Sequence, residues 1–137
     1  MQYMIIGRGA GIILVGNKDR VLLQHRDNNT SWCPNHWGVF GGQIEKGESP
    51  EQAVRREIKE EIGIELTNLE FFKKYEENRE KGIYEAFFFV APLTVSVEKL
   101  RKQQTEGQGL GLFTFSEIKD LKTTDLAKAA LKDFFNN

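Results

Sequence analysis

The chain lacks the features that mark several protein classes. It has one cysteine, Cys33, which excludes an intramolecular disulfide and fits a reducing compartment. Its 19 basic and 20 acidic residues give a net charge of −1, so no basic excess favours nucleic-acid polymers or anionic membranes as partners. The apolar runs are too short to span a membrane, and no secretory signal is visible. We therefore expect a soluble, cytoplasmic protein.

The length of 137 residues suits one domain with one core, and no repeat, low-complexity tract or linker divides it. Periodicity and turn residues predict a charged turn at 76–82, a glycine-rich loop at 106–111 and helices at 50–62 and after Thr124. The predicted strands are residues 9–15, 21–26, 37–40, 66–75, 83–91 and 112–115. This mixture predicts an α/β layered domain.

Residues 41–64 are the most informative stretch, because they contain a glycine loop and a helix with clear ends. Ser49 is a natural N-cap, Pro50 takes the first helical position, and Gln52 completes a capping box. Gly63 is the expected left-handed stop. The helix is therefore the most firmly predicted element of the chain.

Three glutamates share one face of this helix. At about 100° per residue, Glu57, Glu60 and Glu61 fall within an arc of roughly 100° with only Ala53 between them. The stripe that should face the core is separate and consists of Val54, Ile58 and Ile62. Like charges at these spacings repel, and acids near a helix C-terminus oppose the dipole. A hard divalent metal would relieve that repulsion, and a solvated acidic face is the alternative.

The order of these residues resembles the Nudix box over residues 42–64 at every defining position: Gly42, Glu48, Arg56-Glu57-Ile58, Glu60-Glu61 and Gly63-Ile64. The chain is similar to the small MutT-type members of the Nudix hydrolase family. This resemblance implies a single Nudix domain over residues 1–137, folded as an α/β/α sandwich with a mixed curved sheet.

The resemblance also implies a metal and its ligands. Mg²⁺, or Mn²⁺ in its place, would be held by the Gly41 carbonyl and by Glu57, Glu60 and Glu61. The metal neutralises charge on the phosphoryl oxygens, while a carboxylate takes the proton from water. The identity of this base stays open, because relatives place it within the box or on a downstream loop. On such a loop Glu106 is the candidate here, and an exposed loop acid is the alternative.

Arg56 is a candidate catalytic and orienting residue. With Glu48 returning from the loop it could form a bidentate pair that fixes loop against helix, so Glu48 is predicted to orient Arg56. Arg56 as a plain surface charge is the alternative, and metal contact by Glu48 stays open.

Candidate substrate contacts are fewer. Arg26, at the tip of a strand, could reach a phosphate. Gly42 would let the backbone approach a ligand closely. Trp37 could stack on a base, although core packing is the commoner fate of tryptophan.

The implied reaction is attack of water on a diphosphate joined to a nucleoside, so the expected partner is a small nucleotide. The small size and the segment 37–42 resemble MutT-type enzymes, and we favour a housecleaning nucleoside triphosphate diphosphatase. An ADP-ribose or nucleotide-sugar pyrophosphatase is the alternative. A non-catalytic nucleotide-sensing module is the rival of another class, but the three retained box acids argue against it. Either a monomer or a homodimer is expected.

Overall fold

The computed structural model describes residues 4–28, 33–104 and 109–136. These ranges contain seven strands and four helices, and a short 3-10 turn at Asn17–Asp19 follows the first strand. In chain order the elements are β1 Ile5–Val15, β2 Val21–His25, β3 Trp37–Gly38, β4 Phe40–Gln43, α1 Pro50–Ile62, β5 Glu70–Arg79, β6 Gly82–Pro92, α2 Val97–Gln103, β7 Gly109–Phe113, α3 Phe115–Ile118 and α4 Asp125–Phe135. None of these helices is long and apolar enough to cross a membrane.

The sheet is built around β1. This strand pairs in parallel with β6 along most of its length and antiparallel with β4, and Val15 pairs with Val21 at the start of β2. The main path through the sheet is β3-β2-β1-β6-β5, with β7 paired to β2. The sheet is therefore mixed, and β5 stands at one end of the path.

Helices cover both faces of this sheet. Because side chains alternate along a strand, Ile12 and Leu14 of β1 enter one buried cluster and Ile13 enters the other. The first cluster includes buried residues of α1 and α2, and the second includes buried residues of α3 and α4. The arrangement is the predicted α/β/α sandwich with a mixed sheet.

The prediction for α1 is confirmed in detail. Ser49 accepts a hydrogen bond from the Gln52 backbone at 3.1 Å, and the Gln52 side chain accepts one from Ser49 N at 2.8 Å. Gly63 ends the helix with φ of 69°. The stripe Val54, Ile58 and Ile62 is fully buried. These signals succeed because each one depends on residues that are close together in the sequence.

The predictions for the strands need correction at several ends. The strand expected at 66–75 with a turn at 76–82 is instead β5 Glu70–Arg79, which reaches β6 through the two residues Glu80 and Lys81. Most of the charged residues of β5 are exposed and lie on an edge strand, where charge does not interrupt pairing. The strand expected at 37–40 is two strands, because β3 pairs with β2 whereas β4 pairs with β1.

Two helices were not predicted. Ser96 caps α2, and Thr114 caps α3 in a capping box with Glu117, so the strand expected at 112–115 ends at Phe113. Both helices are short, and their caps were the available signal. Thr124 caps α4 as predicted.

The Ser49 cap gives a first testable prediction. Ser49→Ala should lower the free energy of unfolding by about 1 kcal/mol, because the backbone N–H of Gln52 in α1 loses its acceptor. Ser49→Asp should stay close to the parent, since aspartate also caps helices. Urea unfolding of the three proteins checks this, and equal loss in both variants would show that the cap is not the cause.

Candidate active site

A glycine pair at the end of β4 determines how closely the chain segments of the site approach. Gly41 has φ of 150°, and a Cβ there would collide with the Ala10 carbonyl of β1. A Cβ on Gly42 would lie 2.5 Å from Cδ of Glu57. Glycine is required at position 41, because β4 lies against the backbone of β1, whereas a side chain at position 42 would have to displace the Glu57 carboxylate.

Arg56 joins three segments of the chain. Its Nε donates to Glu48 Oε2 at 2.6 Å and its Nη2 donates to Glu48 Oε1 at 3.0 Å, which is the two-pronged contact expected from the sequence. Nη1 donates to Glu57 at 2.9 Å and to Glu60 at 3.3 Å. Nη2 also donates to the carbonyl of Gln43 at 3.0 Å. One guanidinium thus holds the loop, α1 and the end of β4 together.

The pair formed by Arg56 and Glu48 is charged at neutral pH. The hydrogen bond from Arg56 and a second one from the backbone of Glu45 hold the pKa of Glu48 below its usual range. The hydrogen bond with Glu48 in turn raises the pKa of Arg56. Each charge therefore stabilises the other where loop and helix meet.

The three box acids lie in different environments. Glu61 is only 4% exposed, whereas the side chain of Glu60 is 61% exposed and that of Glu57 is 19% exposed. A carboxylate as buried as Glu61 favours a nearby cation, because removing a charge from water is costly. The three glutamates thus range from a solvent-exposed side chain to a buried one.

The ligand atoms available here are of the type that a hard divalent cation binds. Glu57, Glu60, Glu61 and the Gly41 carbonyl offer oxygen only, which is what Mg²⁺ prefers. In the described ranges, however, no three acidic, histidine or cysteine side chains are already arranged to hold a metal ion. Glu57 and Glu60 both accept hydrogen bonds from Arg56. The residues therefore supply suitable ligands, and Arg56 holds two of them, Glu57 and Glu60, in place.

A cleft of about 450 Å³ opens beside the glycine pair. Its lining includes Gly41, Gly42 and Arg26, three of the residues predicted from the sequence, together with residues from the start of α4. Gly42 thus contacts Glu57 of α1 and also lines the cleft. The volume lies within the range of about 300–1,000 Å³ that is usual for small-molecule sites.

Two further assignments from the sequence, for Trp37 and Glu106, stay predictions. Trp37 stacks on His25, with ring centroids 4.6 Å apart and planes 9° apart, and contacts the Phe113 ring edge-on at 4.9 Å. It is not among the described residues that line the cleft, so its stacking on a base stays a prediction. Glu106 lies outside the described residues, and its role also stays a prediction.

Tyr84 is a cleft residue that the sequence analysis missed. A Cβ on Gly9 of β1 would collide with its hydroxyl, and a Cβ on Gly7 would lie 3.0 Å from its ring. The Arg79 guanidinium lies 4.0 Å from the ring centroid of Tyr84. The available signal was glycine at alternate positions of one strand, Gly7, Gly9 and Gly11, which leaves one face of β1 without side chains from residue 7 to residue 11.

Gln24 is the second missed residue of the cleft lining. It is 7% exposed, and its Nε2 donates to the Val39 carbonyl at 3.4 Å. It follows three fully buried apolar residues of β2. A buried amide after an apolar run was therefore the signal that could have found it.

The packing of Glu57 on Gly42 is testable. Gly42→Ala should lower the free energy of unfolding by about 1–3 kcal/mol, because the added methyl must displace a carboxylate that is held by Arg56. Gly109→Ala is the matched control, since a Cβ there meets no atom within 4 Å. It should stay within about 0.5 kcal/mol of the parent in urea unfolding. Equal effects would mean that the close approach is unimportant.

Arg56 gives a prediction with a pH signature. Arg56→Ala should destabilise the protein more than Arg55→Ala, because Arg55 only pairs with exposed Glu51 and a backbone carbonyl. Since the pKa of Glu48 is lowered in the folded state, its contribution is present above the ordinary carboxylate pKa of about 4.3 and is lost as the pH falls further. The difference between parent and Arg56→Ala should therefore shrink in acid.

Arg56→Lys distinguishes geometry from charge. Lysine keeps the positive charge but not the planar fork of donors, so it should restore little of the lost stability. Urea unfolding from neutral to acidic pH measures all three variants. A lysine variant equal to the parent would show that Arg56 is only a general positive charge.

Two curated relatives match part of the chain in sequence. A NAD-capped RNA hydrolase of Pseudomonas aeruginosa is 42% identical over 60 residues, which are 44% of this chain and 20% of that protein. An 8-oxo-dGTP diphosphatase of Haemophilus influenzae is 40% identical over 50 residues, which are 36% of this chain and 37% of that protein. The chain thus matches well under half the length of these two relatives.

A solved structure shows the same fold over nearly the whole chain. The MutT NUDIX hydrolase from Burkholderia pseudomallei matches with a TM-score of 0.76 at 23% identity, covering 92% of this chain and 95% of that one. The family model for the NUDIX domain matches residues 6–134. The chain therefore belongs to the Nudix family.

Proposed function

We propose that this protein hydrolyses the diphosphate bond of a nucleoside diphosphate that is linked to another group. The observation that carries the proposal is the contact of Glu57 of α1 with Gly42, which also lines the cleft. Gly41 lines the cleft as well. A diphosphate at this junction would lie beside Glu57 while the rest of the substrate occupies the cleft.

Different residues have different roles in the proposed reaction. One box acid takes a proton from the attacking water, and Glu106 is the candidate if the base lies outside the box. Arg56 orients Glu57 and Glu60 through its hydrogen bonds. Arg26, on the cleft wall, binds a phosphoryl oxygen.

Magnesium is part of the proposal. The Gly41 carbonyl, Glu57, Glu60 and Glu61 would hold it, and when bound it would neutralise charge on the phosphoryl oxygens. Manganese offers the same chemistry with the same ligands.

Within this class we favour a nucleoside triphosphate diphosphatase. The relative of Haemophilus influenzae, named for 8-oxo-dGTP, supports this choice. The alternative is a dinucleotide-type substrate such as ADP-ribose or a nucleotide sugar, and the relative named for NAD-capped RNA supports it. A panel of nucleoside triphosphates, oxidised purine nucleotides, ADP-ribose and nucleotide sugars, each with magnesium, decides between them. No turnover of any member would favour a nucleotide-sensing module.

The box acids give the central kinetic prediction. Glu60→Gln or Glu61→Gln should lower turnover by at least about a hundredfold, which is the scale of a lost base or lost charge stabilisation, while the fold is retained. Glu65→Gln is the matched control, because Glu65 is an exposed acid just beyond the end of the helix. Turnover should also stop in excess chelator and return with magnesium. Full turnover in chelator would overturn the metal assignment.

A further inference from the structure

The strand β5 leaves a long edge of the sheet available for pairing. It has ten residues, and among the described strands it pairs only with β6. An edge of this length presents a row of backbone donors and acceptors to any incoming strand. Its register with β6 is irregular between Phe71 and Lys73 and regular from Lys73 to Arg79, so the regular part is the suitable template.

The charges on this regular part are self-complementary. The sequence Lys73-Lys74-Tyr75-Glu76-Glu77 has two cations before its central tyrosine and two anions after it. If a second copy of β5 pairs antiparallel about a two-fold axis through Tyr75, Lys74 lies opposite Glu76 of the second copy. Lys73 then lies opposite Glu77, and symmetry makes each pair occur twice.

The lysines can make these contacts while they keep their own partners. Lys73 contacts Asp133 at 3.0 Å, and Lys74 contacts Glu85 at 2.5 Å. An ammonium group has three donors, so one acid does not saturate it. The two lysine side chains are 54% and 41% exposed, which leaves them accessible to a neighbouring strand.

We propose that β5 is a dimerisation edge whose partner is β5 of a second copy of this chain. Edge strands that must remain single commonly carry lysines that repel an incoming strand. Here the two halves of the strand carry opposite charges, so two antiparallel copies attract each other. The resulting dimer has one continuous sheet across the two-fold axis, and high salt weakens it.

The experiment uses two opposite charge reversals, Lys73→Glu and Glu77→Lys. Each variant alone places like charges opposite each other twice, so its dimer dissociation constant should rise at least about tenfold over the parent. In a heterodimer of the two variants, the unchanged Glu77 of the Lys73→Glu chain faces the unchanged Lys73 of the Glu77→Lys chain. In the second pair the two substituted side chains face each other, an acid at position 73 and a base at position 77. Both pairs are attractive, so an equal mixture of the two variants should recover the mass of a dimer. Light scattering after size exclusion, over a concentration series at low salt, measures the masses.

Two further variants control for charge and folding. Glu80→Lys makes the same charge change in the turn after β5 and should leave the dimer intact. Glu76→Lys changes an exposed residue and should weaken the dimer as Glu77→Lys does, even if one of the other variants is unstable. A parent that stays monomeric at every concentration overturns the proposal. Two folded variants whose mixture fails to dimerise overturn the register.

Discussion

The candidate site depends on the guanidinium of Arg56. Four acceptors from the loop, the helix and β4 converge on this one group: the carboxylates of Glu48, Glu57 and Glu60 and the Gln43 carbonyl. Without a central cation, these carboxylates would repel one another and the loop would lose its ion pair with α1. Arginine suits the position because its planar fork reaches several carboxylates and a carbonyl at once, whereas the ammonium of lysine is a point charge.

The strand β1 connects this network to the cleft. Along one edge of β1, the backbone lies so close to Gly41 that a Cβ there would collide with it. On one face of β1, Gly9 leaves room for the Tyr84 ring. The same strand thus supports both the glycine pair beside the acids and one wall of the cleft. A side chain larger than hydrogen at Gly9 would displace Tyr84 and reshape the wall, although Gly9 is far from Arg56 in sequence.

The sequence was sufficient to predict the parts of the structure that depend on local signals. The ends of α1, its buried stripe and the contact of Arg56 with Glu48 follow from residues within one or two helical turns. The limits of β5 did not follow, because its charged residues became a strand through pairing with β6 and exposure at an edge. The helix α3 was missed although Thr114 and Glu117 form a capping box, since the apolar residues before them favoured a longer strand. The cleft depends on contacts such as that of Tyr84 with Gly9, which are far apart in sequence.

This division explains why a reaction class is easier to infer than a substrate. Under the proposed function, the diphosphate lies beside residues that follow one another within residues 41–61, so one sequence motif contains them. The rest of the substrate would contact Gln24, Arg79 and Tyr84, which come from β2, β5 and β6. Each of these strands can change its cleft residue without altering the network of Arg56. Specificity can therefore vary while the arrangement around the diphosphate stays the same, and the cleft residues are the ones that should decide which nucleotide is accepted.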